Sequence, residues 1–252
     1  MRAVVPYRIR QMVKPWLGRH VPVAAGTVTS FGCEIVRGEV DPRLAQGWRH
    51  PNAAQRQYAA FAPVMREMRA GNPREDFIAL VDAVKVAGLP NPTIMEIGCG
   101  SGWNSEVLDQ FWGQSFQYIG IDYSEAMTRL GRREYAARPF VVGDACALPF
   151  HDRACDILLS GTVLMHVLGY QQAIRESVRV AKRWCIFHTI PIVTARSTTI
   201  LRKLAYGTPV LEIVFNRHEF EELLDRSGLI LRQAFKNIPH AYLSEVLGEA
   251  IT

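Results

Sequence analysis

Three carboxylates and one histidine in this 252-residue chain stand where apolar runs give way to polar loops. Glu96 lies two residues before the alternating glycines Gly98, Gly100 and Gly102 in TIMEIGCGSGWNSEVL, residues 93–108. Asp122 ends FQYIGID and is followed by Tyr123, while Asp144 stands between Gly143 and Ala145 in VVGDACALPF. Ser160 and Gly161 close CDILLSG, with His166 about a helical turn beyond. A strand, a glycine loop and a helix start make a cradle for a nucleotide, because glycine admits close backbone approach and the first helical N–H groups lack partners. A carboxylate ending the next strand, as Asp122 does, accepts two charge-assisted hydrogen bonds from ribose hydroxyls. Asp144 is suited to accept from an adenine amino group, with Leu148, Pro149 and Phe150 as apolar neighbours of the ring.

The same loop argues against a phosphate ligand. A dinucleotide fingerprint GxGxxG needs a third glycine at its sixth place, and that place is Trp103, whose bulk opposes close helix–strand packing. Glu96 repels a pyrophosphate, whereas it suits a ligand with cationic and hydroxyl groups. An NAD-dependent oxidoreductase is disfavoured by both residues. No GxxxxGK phosphate loop occurs either.

The elements that must hold these residues alternate in type. Apolar or β-branched runs at 93–97, 116–122, 139–144, 155–161 and 184–190 are separated by helix-like stretches at 103–112, 124–137 and 170–182. That order predicts an α/β fold with a doubly wound, mostly parallel Rossmann-like sheet of six or seven strands, binding ligands at the carboxyl ends of its strands. Asn216 and Glu219 form an N-cap pattern for a helix over 217–227, which Gly228 stops, and LILRQAFKNI at 229–238 predicts a further strand. Ahead of the sheet, helix-like patterns occupy 52–70, interrupted at Pro63, and 76–87, while 1–50 shows no clear period. The chain thus divides into an N-terminal basic arm and helical cap, 1–90, and a nucleotide-binding domain, 91–252. An insertion near 191–215 is either a substrate lid or a plain connection.

Charge and composition narrow the partners. There are 29 basic and 24 acidic residues, and 1–20 alone hold Arg2, Arg8, Arg10, Lys14 and Arg19 with no acid. The body is therefore charge-neutral and lacks the basic face that phosphate backbones require, so no nucleic-acid partner is expected. Residues 1–20 interleave apolar side chains with their charges and allow peripheral contact with an anionic membrane. Pro6 and Pro15 weaken a long amphipathic helix there, and the plainer alternative is a solvated or core-docked arm. Five scattered cysteines without a CxxC pair point to reduced thiols in a cytoplasmic protein. No histidine spacing indicates a metal, no apolar run reaches the roughly 18–20 residues of a spanning helix, and no cleavage signal is visible.

MEIGCGSGWNSEVL, YIGIDYSEAM, VVGDACALPF and CDILLSGTVLMHV resemble, in order and spacing, the successive motifs of class I S-adenosylmethionine-dependent methyltransferases. They are most similar to the bacterial group called type 11, over roughly residues 90–190. The resemblance implies S-adenosyl-L-methionine as cofactor. It sets the glycine loop Gly98, Gly100 and Gly102 against the methionine part, near Glu96, and the ribose on Asp122 beside Tyr123. It sets the adenine against Asp144 and Ala145, and makes Ser160 and Gly161 the floor near the methionine. Tight turns and helix caps are roles that the same glycines and aspartates fill as well. The family's sheet usually ends in an antiparallel hairpin, but this chain ends differently. Its seventh strand is missing, displaced, or supplied by VLEIVF at 210–215.

Methyl transfer to a hydroxyl benefits from a general base. His166 is the first candidate, since it follows the fourth strand on the acceptor side; orienting its neighbours is its other role. His188 is a lesser candidate, and Trp48, His50 and Tyr58 are either lid or packing residues. Ser160-Gly161-Thr162-Val163 stands where amino methylation of nucleic acid wants an NPPY-like loop, and the Pro-Cys loop of pyrimidine carbon methylation is absent. A hydroxyl oxygen of a small molecule or saccharide remains as acceptor. A non-catalytic cofactor-binding scaffold and N- or C-methylation are the alternatives. Oligomeric state is not written in these motifs.

Overall fold

A computed structural model describes residues 30–235 together with Val246 and Leu247; the membrane contact expected of residues 1–20 falls outside them. Five strands form the central sheet: β2 (Thr93–Ile97), β3 (Gln117–Asp122), β4 (Phe140–Val142), β5 (Cys155–Gly161) and β6 (Ala181–His188). They lie in the order β4-β3-β2-β5-β6, every pair parallel. Such strands are covered on both faces, which is why TIMEI and CDILLSG read as continuous apolar runs and not as alternations. Ile94, Ile157 and Leu159 pack under helices α1 (Pro51–Arg69), α2 (Glu75–Ala87) and α3 (Trp103–Phe111), while Met95, Ile97 and Leu158 fill the opposite face. The strand order reverses between β2 and β5, so a crevice opens at their carboxyl ends.

Helices α4 (Glu125–Glu134), α5 (Tyr170–Val180) and α6 (Arg217–Arg226) complete the set among the described residues. Asn216 caps α6, its Oδ1 accepting from Glu219 N at 3.1 Å, as the spacing predicts. Pro63 does not interrupt α1, which runs through it. The buried Met65 and Met68 on the far side tie the last turns to the core and offset the lost hydrogen bond.

The segment 191–215 is built of strands. It forms β7 (Ile192–Val193), β8 (Thr199–Ala205) and most of β9 (Thr208–Asn216), which join β1 (Ser30–Ile35) in a second sheet ordered β1-β8-β9-β7. β1/β8 and β8/β9 pair antiparallel, β7/β9 parallel. Tyr206 and Gly207, at φ +52° and +78°, make the two-residue turn between β8 and β9, a geometry that matches the twist of a hairpin. VLEIVF therefore lies in this second sheet and does not extend the parallel one. Residues 229–235 form no strand, which corrects the expectation for LILRQAFKNI. Leu229 packs against the core, but residues 230–235 are exposed.

Candidate functional site

A cavity of about 530 Å³ lies between the carboxyl ends of the parallel strands and the second sheet. Its sheet-side wall contains Gly98, Gly100, Asp122, Tyr123, Asp144, Ala145 and Gly161, which the sequence placed together. Gly98 and Gly100 sit at φ +63° and +56°, where L side chains are strained, and a Cβ on Gly98 would overlap Val163. The turn they make brings the Gly100 N–H to Asp122 Oδ2 at 2.9 Å, while Oδ1 accepts from Ser124 N at 2.8 Å. These two bonds fix the carboxylate and leave further lone pairs on both oxygens. Burial pushes the Asp122 carboxyl up to about 6, with the two backbone bonds opposing. Asp144 is exposed and accepts from Cys146 N at 2.8 Å.

Glu96, Gly102 and Ser160 are not brought into that wall. Glu96 is fully buried, accepting from Tyr118 Oη and from Asn104 Nδ2, each at 2.6 Å. It braces β2 to β3 and α3 beneath Gly161, where any Cβ would run into the Glu96 carboxylate. Gly102 packs against Phe140, which a Cβ there would meet at 2.5 Å. Ser160 is wholly buried, and its Oγ meets no hydrogen-bond partner among the described residues.

Burial raises the Glu96 carboxyl from its ordinary 4.5 to about 7, against the two hydrogen bonds. An acid held protonated by the fold contributes stability that is full below about 4.5 and is lost as the pH rises through about 7. The melting temperature is therefore expected to fall across that window, and Glu96→Gln to flatten the fall. Equal slopes in the two proteins, measured by thermal scans at stepped pH, would contradict this placement of the proton.

The opposite wall comes from the second sheet and from the 3-10 helices Pro42–Arg49 and Leu164–His166. His166 Nδ1 stands 2.7 Å from Leu211 O. A carbonyl only accepts, so Nδ1 carries the proton and Nε2 keeps a lone pair. Burial, followed by the nearby Lys203 ammonium, lowers the imidazole to about 3. It is neutral at any working pH. Trp48 leans on it with ring centroids 5.0 Å apart and also meets Tyr206 at 5.8 Å. Tyr123 Oη donates to Ala45 O at 3.0 Å, tying the first of these 3-10 helices over the sheet-side wall.

His188 is buried and its Nε2 donates to Asp76 O at 2.9 Å, a positioning bond for the start of α2. His50 caps α1, and the Tyr58 ring packs under the Arg133 guanidinium, so neither lines the cavity. Thr162 and Thr189, at the ends of β5 and β6, are both in the left-handed region beside the cavity, which costs a β-branched residue of order 1–3 kcal/mol. Lys203, Asn104 and Arg74 also line the cavity, and the motifs alone do not point to them. One signal was present for Lys203. In TILRKLA it occupies the inward phase of Leu201 and Ala205, where an apolar residue is expected.

Residues 95–187 match the family model described as a methyltransferase domain, the type 11 group. Among curated relatives, the chain is 36% identical over 93 residues to a demethylmenaquinone methyltransferase of Shouchella clausii, covering 35% of this chain and 40% of that protein. A demethylmenaquinone methyltransferase of Renibacterium salmoninarum is 30% identical over 103 residues, covering 41% of each. The chain thus spans about two fifths of the length of these relatives. Among solved structures, the YcgJ protein of Bacillus subtilis aligns over 69% of this chain and 76% of its own, at 18% identity and a TM-score of 0.50, a likeness of fold.

Proposed function

We propose, on the premise that residues 95–187 are a class I methyltransferase domain of the type 11 group, that this protein transfers a methyl group from S-adenosylmethionine to a hydroxyl oxygen of a small molecule or saccharide. The observation that carries this reading is one cavity lined on one side by Gly98, Gly100 and the fixed Asp122 carboxylate, and on the other by a neutral His166. The sheet-side residues suit the cofactor. A carboxylate held by two backbone N–H groups has its remaining lone pairs available to ribose hydroxyls. The left-handed turn at Gly98 and Gly100 leaves backbone where side chains would otherwise stand. In this proposal Asp144, Tyr123 and Ala145 flank the adenine, and Glu96, Gly102 and Ser160 act from behind as supports.

When bound, S-adenosylmethionine supplies a methyl group already activated by the sulfonium, which leaves as a thioether. The chain's work is to align the acceptor, exclude water and receive one proton, and alignment supplies much of the rate. His166 Nε2 receives that proton from the acceptor hydroxyl. An imidazole near 3 is too weak a base to ionise a free alcohol. It is strong enough once the oxygen has begun to bond to the methyl and carries positive charge, because an alkylated hydroxyl is a far stronger acid than imidazolium. The base therefore acts during or after methyl transfer, not before it.

The test is a mass-spectrometric screen of alcohols, phenols and saccharides, with matched amines, using methyl-labelled cofactor and the full chain. Label appearing on oxygen is the expected result. Label confined to nitrogen or carbon would overturn the acceptor reading, and cofactor binding without any turnover would favour the scaffold alternative.

A further inference from the structure

Arg49, Arg74 and Lys203 stand in the cavity wall, and each neighbours a different part of it. Arg49 lies over the Tyr123 ring, 5.0 Å from its centroid, just past the end of β3. Lys203 belongs to β8 and is near enough to His166 to act on it electrostatically. Arg74 belongs to the glycine-loop end. Its guanidinium lies 5.3 Å from the centre of the Phe61 ring, which stacks on Trp103 with centroids 4.1 Å apart. Trp103 in turn packs on the loop, since a Cβ on Gly100 would meet its ring at 3.1 Å. A continuous stack of side chains thus runs from Gly100 to Arg74. The guanidinium is also fixed from its other edge. His188 Nε2 bonds to Asp76 O, and the Asp76 carboxylate accepts from Arg74 Nε at 2.8 Å and from its Nη2. Nη1 carries two further donors and makes no hydrogen bond among the described residues, on a side chain that is 42% exposed. Next to Trp103, the buried Asn104 also lines the cavity, and its Nδ2 is committed to Glu96, which leaves Oδ1 as an acceptor.

Resting on the reading of this cavity as the S-adenosylmethionine site, we propose that Arg74 Nη1 holds the carboxylate at the amino-acid end of the cofactor, and so selects for a cofactor that carries one. S-adenosylmethionine has a single anionic group, that carboxylate, at the end remote from the adenine. With the ribose on Asp122 and the adenine beside Asp144, the methionine runs along the glycine loop, and the cation tied to that loop is Arg74. A guanidinium whose Nε–Nη2 edge is taken by one carboxylate still offers Nη1 to a second, which a single-donor group could not do. Asp76 keeps its charge balanced before the cofactor arrives, so the arginine waits as a paired ion and not as a stranded one. The same end also suits the ammonium beside the carboxylate, because Asn104 Oδ1 and Asp76 are both acceptors there. Arg74 would thus read the amino-acid end of the cofactor, while Asp122 reads the ribose.

The probes are S-adenosylmethionine, its decarboxylated form, and 5′-methylthioadenosine, which lacks the amino-acid end altogether, each titrated calorimetrically into the full chain. The wild type is expected to bind S-adenosylmethionine at least about tenfold more tightly than the decarboxylated form, the order of a hydrogen bond to a charged group. Arg74→Gln alone strands the buried Asp76 carboxylate, so the decisive variant is Arg74→Gln with Asp76→Asn, which removes both charges. That variant should lose the preference and keep the wild-type affinity for methylthioadenosine, which shows the adenosine half intact. Should it fail to bind methylthioadenosine, Arg74→Lys takes its place: it keeps the charge beside Asp76 but not the fork, and a smaller preference is expected. Equal binding of the two sulfonium probes by the wild type, or an undiminished preference in the variant that retains methylthioadenosine, would overturn the proposal. Failure of the wild type to bind either S-adenosylmethionine or methylthioadenosine would instead defeat the cofactor reading, so the two failures are separable.

Discussion

His166→Gln is expected to lower kcat by about 10²–10⁴, the usual contribution of a positioned proton acceptor. Glutamine can occupy the space and still bond to Leu211 O, but it cannot take up a proton. The cofactor half of the cavity is untouched, so affinity for S-adenosylmethionine should stay within a factor of two or so. The pH profile carries the finer test. A histidine with its ordinary value of 6.5 would switch off below that pH, yet burial and Lys203 hold this one near 3. Activity should therefore show no acid limb from His166 between pH 5 and 7. A variant that keeps most of its kcat would reduce His166 to an orienting residue, and a wild-type limb near 6.5 that vanishes in the variant would contradict the buried, neutral imidazole.

Asp122→Ala is expected to weaken S-adenosylmethionine binding by about 1–3 kcal/mol, the range for charge-assisted bonds left unmade. The same change orphans the N–H groups of Gly100 and Ser124, which now donate to the carboxylate. Some stability will be lost with the affinity, and the two must be measured separately, by calorimetric titration and by thermal melting. The wild-type affinity should also depend on pH. The ribose hydroxyls need the ionised carboxylate, so binding is full above about 6 and declines as the pH falls through that value. A folded variant with unchanged affinity would remove Asp122 from the cofactor site.

The central sheet was legible because β2, β3 and β5 are short, mostly buried runs that end at or beside a glycine or an acid, and such punctuation is local. TIMEI, YIGID and CDILLSG end where β2, β3 and β5 end. The cavity residues at those ends were legible for the same reason. What escaped depends on partners far along the chain. β1 pairs with β8 some 170 residues away and carries a bulge between Phe31 and Glu34, so its alternation is broken. Gly102 carries the same glycine signature as Gly98, and only the fold reveals that it faces Phe140. Glu96 likewise reads as a ligand group, and only the fold reveals that it is fully buried behind the cavity wall, accepting from Tyr118 and Asn104. The second sheet was missed because the 191–215 segment read as an insertion, although TILRKLA and VLEIVF join across a two-residue turn.

The most direct test of the whole account is a calorimetric titration of the full chain with S-adenosylmethionine, run beside NAD and beside the Asp122→Ala variant. One cofactor molecule per chain, a weaker isotherm in the variant and no NAD binding at millimolar concentration are the expected results. A flat isotherm with S-adenosylmethionine, or tighter binding of NAD, would contradict it.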